Sequence, residues 1–390
     1  MIFLQVTFWI SLFLIFYSYL IFPILLQWMA RKKESNEEVL LPEEYPFISV
    51  LISAFNEEYV IQSKIESLLK SDYPPERMEI LVGSDASTDS TNQILKQLKE
   101  AHQMLHVRLF EERTGKPGVV NQLAESARGE ILVITDANVM VDSNTLSEIV
   151  RHFKPERVGL VDTRMINTLL KKDGISHQEK FYISREVKIK QHESLLWGSM
   201  MGPFGGCYAV RKSVYTPVPG NFLVDDFYIN MSVLKQGYHC ISNIEARVYE
   251  DVSNNLREEF MRKKRISAGN YQNLSEFRSL LFSGSPGVAF CFFSHKVIRW
   301  MVPFLVIITL AISIYLSTSS SIYLLLTLLQ LTVITIPLID YLLRKIKIHI
   351  IPLRFISHFV LMNLALLAGF FKYLGGIKNN VWQPTKRNQN

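Results

Sequence analysis

Residues 1–30 contain no charged side chain, and this run limits what the chain can become more than any motif does. The apolar stretch 3–30 exceeds the ~20 residues that a helix needs to cross a bilayer. It has no basic n-region, it is too long for a signal core, and no small-residue cleavage site follows, so it reads as a retained anchor. Arg31-Lys32-Lys33 comes next and places that end on the cytoplasmic side.

From Trp300 the chain turns apolar again. Met301–Leu316 and Ile322–Leu343 read as two spans joined by the serine-rich link 317–321, and Arg344-Lys345-Ile346-Lys347 marks a second cytoplasmic loop. Pro352–Phe371 is a third candidate, with only Arg354 and His358 ionisable. Three spans would leave the tail outside although it carries Lys378, Lys386 and Arg387, so either the tail is external or one segment is re-entrant. The division expected is an anchor (1–30), a cytoplasmic catalytic domain (46–275), an interfacial segment (276–299), two or three C-terminal membrane helices (300–375) and a tail (376–390). Ser294–Trp300, cations followed by an aromatic, suits interfacial anchoring.

The net charge is +6, but the basic residues flank membrane segments. Anionic membrane lipid therefore explains them better than nucleic acid, for which no binding signature occurs. Cys207, Cys240 and Cys291 show neither disulfide nor metal-site spacing.

Between these segments strands and helices alternate. Phe47–Ser53, Met78–Gly83, Leu105–Leu109, Ile131–Ile134 and Val158–Val161 have strand length. Helical spacing follows at Ile61/Ile65/Leu68, Ile94/Leu95/Leu98, Val119/Val120/Leu123 and Leu146/Ile149/Val150. This predicts an α/β fold: a doubly wound, mostly parallel sheet flanked by transmembrane helices. In such sheets ligands bind beyond the carboxyl ends of the strands. The polar turns fall there: Ser53 with Asn56-Glu57, Ser84-Asp85, and Asp136-Ala137-Asn138. Each could be an ordinary helix cap; their common edge points to a binding rim. There is neither GxGxxG after the first strand nor a P-loop. Asp136 and the amide oxygen of Asn138 are hard ligands suited to magnesium or manganese. Further on, Val224-Asp225-Asp226 opens a helical pattern that Gly237 closes. It lies between the small-residue turn Gly205-Gly206 and the cationic run Arg262-Lys263-Lys264-Arg265. Helix capping accounts for the acid pair alone. With small residues on one side and fixed cations on the other, a carboxylate suits removal of a hydroxyl proton while a phosphate leaves.

In this order, Ile48–Glu57, Val82–Asp89, Gly115-Lys116 with Asn121, Asp136-Ala137-Asn138, Gly205–Arg211, Val224–Asp226 and Arg262–Ile266 make residues 46–300 resemble the family 2 glycosyltransferases, in particular the membrane-integrated inverting enzymes related to bacterial polysaccharide synthases. The resemblance implies a GT-A-like domain on the cytoplasmic side of a bacterial inner membrane. It implies a nucleotide-sugar donor site at Ser53, Asn56, Glu57, Asp85, Lys116, Asp136 and Arg262. A magnesium or manganese ion would sit on Asp136 and Asn138, and the acceptor would lie over Gly205 and Gly206. Asp226 becomes the general base beside Asp225, and Arg265 meets the leaving diphosphate. The chain departs from the family's DxD at Asn138, and from its QxxRW at Arg262 and Ile266. The implied function is sugar transfer to a lipid-linked or glycan acceptor in cell-envelope or exopolysaccharide assembly. The alternatives are a processive synthase that exports its polymer and a non-enzymatic scaffold on the same fold.

Overall fold

The computed structural model describes residues 1–33, 38–168, 176–251, 256–346, 348–378 and 380. Lys347, the Trp382–Thr385 element that resembles a terminal motif of some relatives, and Lys386 and Arg387 lie outside the described residues. In chain order the helices are α1 (Ile2–Phe16), α2 (Phe22–Ala30), α3 (Ile61–Leu69), α4 (Thr91–Ala101), α5 (Gly115–Ser126), α6 (Thr145–Val150), α7 (Ser176–Trp197), α8 (Asp225–Lys235), α9 (Leu256–Phe277), α10 (Pro286–Cys291), α11 (Ile298–Leu316), α12 (Ser321–Lys345) and α13 (Ile351–Leu374). The strands are β1 (Ile48–Ala54), β2 (Met78–Asp85), β3 (Leu105–Phe110), β4 (Ile131–Asp136), β5 (Met140–Val141), β6 (Val158–Thr168), β7 (Cys207–Arg211) and β8 (His239–Asp251).

The strands form one sheet in the order β3-β2-β1-β4-β7-β6-β8-β5. Strand β1 shows why the central strands read as unbroken apolar runs. Ile48, Val50 and Ile52 pack into one core and Leu51 into the other, so both faces are covered. Strand β4 repeats this, with Ile131 and Val133 on one side and Leu132 and Ile134 on the other. The β3-β2-β1-β4 block is parallel, and its order reverses between β1 and β4. That reversal is the topological switch point where ligands bind in open α/β sheets. Beyond it the sheet is mixed: β7 runs antiparallel to β4 and β6, while β6 and β8 are parallel. An apolar strand buried on both faces has the same pattern in either direction, so the sequence is silent on β7's sense.

Helices α1 and α2 are joined through a π turn at Tyr17–Ile21, and α10 and α11 through another at Phe292–Val297. The resulting runs Ile2–Ala30 and Pro286–Leu316, with α12 and α13, are long and apolar enough to cross a membrane. The helix ending at Leu316 thus starts well before Met301. Its polar residues are tolerated because they are paired inside the protein. The two ring nitrogens of His295 lie 2.7 Å from Glu193 and 2.9 Å from Glu186 of α7, and Arg299 also bonds Glu186. What looked like an interfacial anchor is a buried ion cluster that joins α7 to the long apolar helix 286–316. Trp300 is buried too, its ring centroid 5.6 Å from that of Phe227 in α8. Trp197 packs on Phe290 and is a packing residue. The three cysteines are free and buried.

Candidate active site

A line of contacts starts at Asp85 and ends at Asp226. Asp85, at the end of β2, is 2% exposed. Its carboxylate accepts hydrogen bonds from the Thr114 amide (2.7 Å), the Gly115 amide (3.0 Å) and Arg113 Nε (2.9 Å). Those amides open α5, where a helix leaves its first N–H groups without internal partners. Lys116 comes next, its Nζ 2.7 Å from Asp136 Oδ1 and 3.4 Å from Asp225 Oδ2. One ammonium thus ties the end of β4 to the start of α8. Burial works against its charge, but Asp136 and Asp225 outweigh that and hold it above the usual lysine range.

Asp226 lies on the other side of that junction. Gly205 adopts φ +81°, and a Cβ placed on it would fall 2.5 Å from Asp226 Oδ2. Only glycine allows both that backbone and that approach. The carbonyl of Gly206 accepts from the Asp136 amide and from Thr135 Oγ1, each at 2.9 Å, so the same turn fixes the end of β4. Asp226 Oδ1 accepts from the Phe227 amide at 2.7 Å. Burial first, and then the charge of Asp225, push the Asp226 carboxyl up to about 7, against the pull of Lys116. Arg265 is half-buried on α9. Burial lowers its guanidinium, and Asp225, Asp226 and Asp136 act in the opposite sense, so all three carboxylates lie within its electrostatic reach.

Helix α9 also clamps the approach to α8. Gln272 accepts from the Leu223 amide (3.1 Å) and donates to the Asn221 carbonyl (2.9 Å), while Asn273 donates to the Val224 carbonyl (3.2 Å). At Gly269 any side chain would run into Val224.

The remaining rim residues hold one another. Asn56 adopts φ +54° and accepts from the Thr88 amide at 2.9 Å, and the Glu57 amide donates to Thr91 Oγ1 at 2.8 Å. Ser53 is level with Asp136 and Gly83 across the sheet. The structure therefore brings Lys116, Asp136, Asp225, Asp226, Arg265, Gly205 and Gly206 together, with Asp85, Ser53, Asn56 and Glu57 on the adjoining edge. Arg262 donates two N–H groups to Glu259 within α9.

A magnesium or manganese ion held mostly by phosphate and water needs only one or two protein carboxylates. Asp136 fits: its side chain is 32% exposed and already faces a cation, the Lys116 ammonium. Asn138 is buried and donates its amide N–H to Glu250 at 3.3 Å, an orientation in which its carbonyl oxygen, not its amide nitrogen, is the atom that could face a cation. Among the described residues no three His, Cys, Asp or Glu side chains gather into a metal cluster.

Two supporting residues escape the sequence reading. Glu250 reaches Asn138 from β8; the acid pair Glu250-Asp251 is visible in the sequence, but its neighbour is not. Lys64 of α3 is fully buried behind the Asp136–Val139 turn, donating to Thr135 Oγ1 at 2.8 Å and to the Val139 carbonyl. Burial pulls its ammonium down to about 8.

Asp85→Ala should cost ~2 kcal/mol of stability, because Arg113, the Thr114 amide and hydroxyl, and the Gly115 amide lose their buried acceptor together. Thermal unfolding checks this, and an unchanged melting temperature would contradict the capping role.

Residues 49–216 match the family described as Glycosyl transferase family 2. A beta-monoglucosyldiacylglycerol synthase of Nostoc is 31% identical over 171 residues, 43% of this chain and 36% of that protein. A poly-beta-1,6-N-acetyl-D-glucosamine synthase of Staphylococcus epidermidis is 28% identical over 127 residues, 32% of this chain and 30% of that protein. The chain thus spans about a third of the length of these two relatives. The solved mannosyltransferase PcManGT from Pyrobaculum calidifontis, in complex with GDP-Man and Mn2+, superposes with a TM-score of 0.72 at 20% identity, over 94% of this chain and 99% of that one. Residues 49–216 are therefore a family 2 glycosyltransferase domain, set in a GT-A-type sheet flanked by long apolar helices.

Proposed function

We propose that the chain is a membrane-bound inverting glycosyltransferase. It moves a sugar from a nucleotide-sugar donor to a hydroxyl of a lipid-linked or glycan acceptor in cell-envelope or exopolysaccharide synthesis. The observation that carries this reading is Asp226, a half-buried carboxyl raised to about 7, packed on Gly205 and one residue from the Lys116–Asp136–Asp225 junction. A base poised near the working pH is what abstraction of a hydroxyl proton requires.

In this reading Asp226 takes the acceptor's hydroxyl proton. The acceptor oxygen attacks the anomeric carbon from the face opposite the diphosphate, and the bond to the diphosphate breaks with inversion. Arg265 offsets negative charge on the departing nucleoside diphosphate. A magnesium or manganese ion on Asp136 and Asn138 would supply further charge neutralisation there. Asp225 holds Lys116 and thereby the spacing between donor edge and base. Arg31-Lys32-Lys33 supports a cytoplasmic catalytic domain in a multi-pass protein. The names of the similar proteins, a glycolipid synthase and a polysaccharide synthase, support a lipid or glycan acceptor.

The likeness to the poly-N-acetylglucosamine synthase keeps a processive synthase as a second reading. Arg262 and Ile266, where processive relatives carry Gln and Trp, favour addition of one or a few sugars, and product length separates the two. The full chain, given manganese or magnesium, membrane extract and a panel of nucleotide sugars, should release nucleoside diphosphate from one of them. Release from none would favour the scaffold reading.

A further inference from the structure

We infer that the buried ion cluster on α7 is a positioning device for the acceptor side of the site: Glu193 and His295 hold the turn that carries Gly205 and Gly206 against Asp226. The inference rests on the reading of Asp226 as the base. Glu193 is fully buried, and its two oxygens face different elements. Oε1 lies 2.7 Å from Nδ1 of His295, and Oε2 accepts from the Met201 amide at 3.0 Å. One carboxylate thus joins the apolar helix 286–316 to the start of the segment 199–206. Three residues earlier on α7, Lys190 Nζ lies 2.5 Å from Asp162 Oδ2 and 3.3 Å from the centroid of the Phe204 ring, next to Gly205. Two buried charged side chains of α7 therefore meet this segment, one near its start and one near its end.

The helix 286–316 reaches the base side of the site as well. Phe227, which follows Asp226, packs on Trp300 with ring centroids 5.6 Å apart and on Phe292 at 6.3 Å. Between the two sides the fit is close. A Cβ on Gly202 would fall 2.5 Å from the Phe227 ring. The Gly202 amide donates to Asn230 Oδ1 at 3.0 Å, and Asn230 donates back to the Met200 carbonyl at 3.1 Å. His295 thus bears on the turn, and Phe292 and Trp300 on the start of α8, from one helix long and apolar enough to cross a membrane.

Stability alone does not account for the cluster. A buried ion pair gains little over apolar side chains that fill the same space, because desolvation of the charges offsets their attraction. What charge-assisted hydrogen bonds add is direction: Glu193 is satisfied only when the Met201 amide and the His295 ring are both in place. The pair is also separable from the rest of the cluster. Glu186, the other partner of His295, is held in addition by Arg299 and Lys296. Removing His295 together with Glu193 therefore leaves Glu186 paired.

The test uses the full chain in detergent micelles. Glu193→Leu combined with His295→Leu should keep nucleoside diphosphate affinity and a melting temperature close to that of the unsubstituted chain. It should speed hydrogen exchange in peptides over 199–206 but not over α5, and lower turnover between about 10- and 100-fold. Glu193→Gln, whose amide oxygen can still accept from Met201, should exchange and turn over like the unsubstituted chain. Unchanged exchange at 199–206 in the leucine pair, or faster exchange with undiminished turnover, would overturn the proposal. A leucine pair that fails to fold would overturn it too, because the charges would then serve the fold. So would a glutamine variant as impaired as the leucine pair, since the effect would then lie in the charge and not in the bond to the turn. Exchange is read without sugar transfer, so a preparation inactive with every donor bears on the enzymatic reading alone.

Discussion

Asp226→Asn should lose about 10²–10⁴-fold in turnover, keep its affinity for nucleoside diphosphate, and fold at least as stably as the unsubstituted chain. The amide can still accept from the Phe227 N–H, and it leaves the Lys116 junction with Asp136 and Asp225 in place. What disappears is the ability to take a proton. The unsubstituted rate should therefore rise with pH through about 7, the value to which burial and Asp225 bring this carboxyl, whereas the residual rate of the variant should be flat there. Stability follows the opposite course. The folded carboxyl is raised above its unfolded value of ~3.9, so between ~4 and ~7 the unfolded state binds fewer protons and stability falls as pH rises. Asn removes that fall, and the variant's melting temperature should exceed that of the unsubstituted chain by more at pH 8 than at pH 5. Undiminished turnover in a membrane assay would remove Asp226 from the reaction. Lost nucleotide affinity would mean that it belongs to the donor site.

The parts of this site that the sequence reveals are those whose pattern is local. Ile48–Ala54 and Ile131–Asp136 read as buried strands because both faces are covered, and their polar ends mark the rim. Asp226 stands out as half of an acid pair opening a helix. The parts that stay hidden depend on partners far away in the chain. Nothing near Lys116 shows that it bridges Asp136 and Asp225, because that contact is created by the strand reversal between β1 and β4. Lys64 lies among Ile61, Ile65 and Leu68, where a lysine reads as a solvated residue at the edge of an apolar face. Its burial follows from the Asp136–Val139 turn above it. His295 and Arg299 resemble membrane-surface anchors until Glu186 and Glu193, about a hundred residues earlier, are seen to meet them.

Gly205→Ala should lower turnover about 100-fold with little change in nucleotide affinity, the second large effect expected of this site. Two costs arise at once. An alanine must hold φ +81°, a left-handed conformation that costs a non-glycine residue ~1–2 kcal/mol. Its Cβ would also stand 2.5 Å from Asp226 Oδ2, so either the turn or the carboxylate must move by about an ångström, and a displacement of that size can cost 10²-fold. Asp85 and the start of α5 lie on the far side of the Lys116 junction, which is why nucleoside diphosphate binding, measured by calorimetry, should be preserved. Gly220→Ala, at a position with open space around it, controls for loss of a glycine as such and should leave turnover unchanged. The double variant separates strain from chemistry. If Gly205 matters through Asp226, the two changes are coupled, and Gly205→Ala should cost little further activity once Asp226 is Asn. A second full loss of about 100-fold in that background would show instead that the turn acts on the acceptor directly, independently of the carboxylate packed against it.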